Sequence, residues 1–86
     1  MALRIELKSS AVRDLASLPK GDQVKVARKI NALADNPYPR GSKKLAGVED
    51  LRRIRVGRYR ILYQVRQQTL VVCVVRIKHR RDVYRP

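Results

Sequence analysis

The stretch LRRIRVGRYRILYQV, residues 51–65, decides the fold. Its apolar residues recur at every second position: Ile54 and Val56, then Tyr59, Ile61, Tyr63 and Val65. That period belongs to a strand with one buried face. Gly57-Arg58 interrupts the pattern as a two-residue connection, and glycine at the first turn position supplies the positive φ that a tight hairpin needs. Leu51–Val56 and Tyr59–Arg66 are therefore predicted to pair antiparallel. After Gln67-Gln68, a weaker turn signal, Thr69–Lys78 takes up the alternation again, so the three strands are expected to form a meander.

Alternation also sorts the side chains. Ile54, Val56, Tyr59, Ile61, Tyr63, Val65, Val71, Cys73, Val75 and Ile77 fall on one face, the expected core side. Cys73 on that side reads as a small buried residue. Arg53, Arg55, Arg60, Leu62, Gln64, Leu70, Val72, Val74, Arg76 and Lys78 fall on the other. Arg53 and Arg55 then face Arg60 across the first hairpin with no carboxylate among them, an arrangement that suits an external anion. Leu62, Val72 and Val74 share that open face. No helix follows them in the sequence to act as a cover, so a partner protein is expected there.

Upstream the period changes to about 3.6. Leu3–Leu7 reads as a short strand, and Ser9 or Ser10 as the N-cap of a helix carrying Ala11, Val12, Leu15 and Leu18. Pro19 suits the first turn of a second helix, with Val26, Ala27, Ile30, Leu33 and Ala34 on its apolar stripe and an end at Asn36-Pro37. The short connection makes the helices an antiparallel hairpin. Tyr38–Gly47 reads as a loop. The expected architecture is α+β: an N-terminal strand and a two-helix hairpin packed on one face of a twisted, mainly antiparallel four-stranded sheet, forming a single domain over residues 1–86.

Composition narrows the function. Lysine and arginine number 21 against 7 acids, a net charge of +14, and residues 51–86 carry 11 basic side chains against one acid. Ten of those 11 are arginine, whose planar fork fits phosphate oxygens two at a time. Nucleic acid is the expected partner. A single cysteine excludes an internal disulfide and a cysteine-based zinc site. Two-metal nucleases need clustered carboxylates, and six of the seven acids (Glu6, Asp14, Asp22, Asp35, Glu49, Asp50) lie outside the basic half. Gly41 and Gly47 lack the lysine context of a phosphate-binding loop. No metal and no cofactor is expected. The sequence shows neither a signal-peptide run nor an apolar stretch near the ~20 residues that span a bilayer, so a cytoplasmic protein without membrane contact is expected.

The order strand, helical hairpin and meander, the string from Leu51 to Val65, and the ending His79-Arg-Arg-Asp-Val-Tyr-Arg85 together resemble the RelE/ParE toxin superfamily over essentially the whole chain. The Gly-x-Tyr-Arg-x-x-Tyr segment from Gly57 occurs in both branches, whereas the ending is more similar to the RelE branch.

This resemblance implies the toxin of a type II toxin–antitoxin system. RelE-like members cut messenger RNA in the ribosomal A site without a metal, by attack of the 2′-hydroxyl on the adjacent phosphate. They are neutralised by an acidic, RelB-like antitoxin, and the complex binds operator DNA through the antitoxin. The family's catalytic positions fall on Arg53, Arg55, Arg60, Arg80 and Tyr84, with Arg81 as the one-residue alternative to Arg80. Lys43, Lys44, Arg52, Arg58, Arg76, Lys78, His79 and Arg81 are the candidate contacts to messenger or ribosomal RNA; Leu62, Val72 and Val74 are candidate antitoxin contacts. The chain departs from the family pattern where Arg53 and Arg55 replace lysines. An arginine cannot lose its proton and so serves as a charge stabiliser, leaving the general base open among His79, Tyr84 and a ribosomal group. The alternatives are a ParE-like inhibitor of DNA gyrase and an inactive RNA-binding relative.

Overall fold

The computed structural model describes residues 2–45 and 50–79. The elements run β1 (Arg4–Leu7), α1 (Ser9–Ala16), α2 (Lys20–Ala32), β2 (Lys43–Lys44), β3 (Leu51–Val56), β4 (Tyr59–Arg66) and β5 (Val71–His79). They build one five-stranded sheet in the order β1-β5-β4-β3-β2. β1 is parallel to β5, and the other pairs are antiparallel. The fifth strand is β2, two residues long and too short for any period to reveal; the sequence reading places it in a loop.

The helices cover one face. Ala11, Val26, Ile30 and Leu33 meet Ile54, Tyr59, Ile61, Tyr63, Val65, Val72, Val74 and Ile77 in the buried core. Val12, expected on the apolar stripe of α1, is 51% exposed. Gln23 Nε2 stitches the hairpin by donating to the carbonyls of Ala16 and Leu18 at 3.2 and 2.8 Å. Regular α2 ends at Ala32, and tight turns carry the chain to Asn36.

The β3–β4 turn is the predicted Gly57-Arg58, with Gly57 at φ +56° and Val56 opposite Tyr59. The β4–β5 connection is longer than predicted: Arg66 pairs with Val71, and Gln67–Leu70 form the loop. Leu70 sits in the left-handed region at φ +55°.

One irregularity revises the face assignment. Tyr63 pairs with Val74 but Leu62 pairs with Arg76, so Val75 is a bulge without a partner on β4. A bulge inserts one residue and switches the parity of everything beyond it. Strict alternation places Val72 and Val74 on the open face; both are fully buried in the core instead. They are therefore corrected from antitoxin contacts to core residues, and Leu62 alone of the three remains on the open face. Conversely, Cys73 is buried but lies opposite Gln64 and Glu6, on the side away from the helices.

The bulge is held by α1. Beyond Val74, no strand among the described residues pairs with β5 on its β1 side. Ser10 Oγ donates to the Val75 carbonyl at 2.9 Å, and Ile77 N–H donates to Asp14 Oδ2 at 2.9 Å. Ser10 thus ties down the sheet edge, and the residue preceding α1 is Lys8, with no side-chain cap. Unpaired strand edges need such partners.

Candidate nucleic-acid interface

The open face of the sheet carries two rows of cations across the strands. Residues paired directly across strands share a face, and the strands lie about 4.8 Å apart. Arg55 on β3, Arg60 on β4 and Lys78 on β5 make one row. Lys43, Arg53, Leu62 and Arg76 make the next. Arg60, in the middle, is only 2% exposed, while Arg55 is exposed. Packing of that kind fixes the Arg60 side chain beneath its neighbours, with Arg55 as the exposed cation beside it.

Not every cation in the rows is available. Arg76 donates through Nε to Asp14 Oδ2 at 2.8 Å and through its terminal nitrogen to Oδ1 at 3.3 Å. Burial pushes the Asp14 carboxyl up. The Arg76 and Ile77 hydrogen bonds, with the charges of Arg76 and Lys78, outweigh burial and hold it below its ordinary 3.8. The pairing of Asp14 with Arg76 was not legible in the sequence because the two lie 62 residues apart, with no local signal.

Other expected contacts lie elsewhere. Arg52 is on the helix side, 4.9 Å over the Tyr38 ring and donating to Ser42 Oγ at 2.9 Å. His79 is opposite Tyr59, also on the helix side, with the two rings edge to face at 5.5 Å. Tyr59 in turn donates its hydroxyl to Asp22 Oδ2 at 2.7 Å. That hydrogen bond, with burial and the Asp22 charge, raises the phenol above 10 against the opposing pull of Arg58. Arg58 is exposed at the turn, and Lys44 is exposed opposite Arg52. Arg80, Arg81 and Tyr84 lie outside the described residues. Among the described residues no three His, Cys, Asp or Glu side chains gather as a metal site, and no helix is long and apolar enough to cross a membrane.

The model of the ParE toxin of the type II toxin–antitoxin system parDE matches residues 5–84. The chain belongs to the RelE/ParE toxin superfamily. It is a RelE-like toxin of a type II toxin–antitoxin system. A RelE-like toxin protein of Escherichia coli is 32% identical over 88 residues, covering 98% of this chain and 92% of the relative. Among solved structures, the toxin is similar to the archaeal RelE–RelB complex from Pyrococcus horikoshii, with TM-score 0.82, 32% identity, and coverage of 93% of this chain and 97% of that one. The RelBE2 toxin–antitoxin complex from Mycobacterium tuberculosis gives TM-score 0.82 at 28% identity, covering 93% of this chain and all of the other.

Proposed function

We propose that the toxin is a ribosome-dependent messenger-RNA endonuclease that arrests translation by cutting the message in the A site. The observation that carries this reading is the row Arg55–Arg60–Lys78 with Arg53 beside it, on a face not covered by the helices. In the proposed reaction the 2′-oxygen forms a bond to the adjacent phosphorus as the phosphorus–5′-oxygen bond breaks. The 2′-hydroxyl proton passes to a base, and the 5′-oxygen takes one up. The products are a 2′,3′-cyclic phosphate and a 5′-hydroxyl. Arg60 holds the phosphate, and Arg53 and Arg55 stabilise the charge that builds up at phosphorus. One well-placed donor of this kind is worth roughly 3–4 kcal/mol. Guanidinium groups cannot act as the base, and His79 stands on the helix side against Tyr59, so that role falls to Tyr84 or a ribosomal group. Arg80 and Tyr84 complete the proposed site.

A RelB-like acidic antitoxin is the proposed partner, since the archaeal and mycobacterial relatives are complexes of that kind. Covering the arginines and Leu62 would silence the site, and the antitoxin would carry the complex to operator DNA. A second reading, ParE-like inhibition of DNA gyrase without RNA chemistry, is favoured by the match to the ParE model.

The test is primer extension on a defined message in a reconstituted translation reaction. The expected result is in-frame cuts on ribosomes, slowed about 100- to 1000-fold by Arg60→Ala and altered by Tyr84→Phe. Absence of wild-type cuts with folded protein, together with loss of gyrase supercoiling, would decide for the second reading.

A further inference from the structure

β2 covers only Arg52 and Arg53 of β3, so among the described residues no strand pairs with the β3 edge beyond Arg53. A cleft of about 340 Å³ runs beside it, lined by Lys29 from the last turn of α2, Arg40, Lys43, Arg53 and Arg55. Gly41 and Ile54 complete the lining, and Ile54 is only 3% exposed. None of the lining side chains is acidic. Among the described residues none of the five cations has a carboxylate partner. Gly41, at φ +92°, makes the turn that sets Arg40 and Lys43 at the same cleft, with Ser42 N–H donating to the Pro39 carbonyl at 3.0 Å. The backbone adds a donor. Leu45 N–H donates to the Leu51 carbonyl, so by the alternation of an antiparallel ladder the N–H groups of Arg53 and Arg55 point to the β2 side, and at Arg55 β2 has ended.

Like charges gathered in a concavity raise the local potential and draw in anions. Guanidinium and ammonium groups with a backbone N–H among them match the oxygens of successive phosphodiesters. We infer that this cleft is a second phosphate subsite, which takes the backbone of single-stranded RNA next to the reacting phosphate, with Lys29 and Arg40 as its binding residues. The identity of the strand rests on the endonuclease reading; the cleft's preference for RNA phosphates does not.

The test measures binding of a 2′-O-methyl RNA ten-mer, which cannot be cut, against salt for the full-length toxin. The variant K29A/R40A is compared with R13A/K20A, which removes two cations outside the cleft. Each phosphate contact on a single strand contributes roughly 0.7 to the slope of log K against log salt, so K29A/R40A should lower the slope by ~1.4 and R13A/K20A by much less. On ribosomes K29A/R40A should raise KM and leave kcat unchanged. An unchanged slope, equal losses in both variants, or no wild-type binding at low salt would overturn the inference. A loss seen only with an RNA hairpin would overturn it in favour of ribosomal helices. A loss of affinity for the antitoxin with the RNA slope intact would overturn it in favour of a peptide. If the slope falls as expected but the wild type cuts no message, the cleft stands and the endonuclease reading fails.

Discussion

The two halves of β5 lie on one strand yet answer to different neighbours. Val71–Val74 pair with β1 on one side and β4 on the other, and there Val72 and Val74 face the helices. Past the Val75 bulge, Arg76–His79 pair among the described residues only with β4, and their other edge is tied to α1 through Asp14. In the first half the even-numbered residues are core. In the second the odd-numbered Ile77 is core, and even-numbered Arg76 and Lys78 join the cationic rows. One inserted residue lets the same strand serve a hydrophobic core and a cationic face. The hydrogen bonds from α1 replace the strand neighbour that the second half lacks.

The largest effect should come from breaking the first half. Val74→Asp would place a carboxylate in the core at a position with no exposure, and should cost about 4 kcal/mol or more. Urea unfolding, or loss of soluble folded protein, would register it; a mild effect would mean that the bulge is misplaced.

Breaking the second half should cost less. Asp14→Asn removes an ion pair whose Arg76 partner is 42% exposed, so the loss should be about 1–2 kcal/mol, with faster exchange of the Ile77 amide. The variant also tests pH dependence. Asp14 titrates lower in the folded chain than its ordinary 3.8, so the stability it contributes is present above that value and is lost as pH falls through the depressed one. Urea midpoints measured from pH 7 downward should fall below pH 4 in the wild type, and this component of the fall should be missing in the variant.

The smallest effect sharpens the comparison at the turn that leads into the first half. Leu70 is 47% exposed and holds φ +55°, a conformation that asparagine tolerates far better than leucine. Leu70→Asn should stabilise by about 0.5–1 kcal/mol, a rise in Tm of roughly 3–6 °C. A lower Tm would show that the leucine side chain makes contacts worth more than its strain.

Much of this architecture could be read from side-chain period. The Gly57-Arg58 hairpin was legible because glycine and two alternating runs point to the same turn. Arg53, Arg55 and Arg60 were legible as one group because that hairpin keeps strict register. Val72 and Val74 were misassigned, and the buried Cys73 was placed on the wrong side of the sheet, because a bulge leaves no mark in a run of valines. His79 and Arg52 were named as candidate RNA contacts, yet they stand on the helix side, where Tyr59 and Tyr38 hold them.

By itself the sequence determined the element types, the first hairpin, the concentration of arginine after residue 50 and the likeness to the RelE/ParE toxins, because all of these rest on residues near one another in the chain. Only the tertiary structure decided the fifth strand, the switch of faces within β5, the capture of Arg76 by Asp14, and the meeting of Lys29 and Arg40 with Arg53 and Arg55 in one cleft. Each of those depends on which distant segment comes to lie alongside another. Local propensity carries no record of that pairing, and it emerges only when burial and backbone hydrogen bonding are satisfied across the whole chain at once.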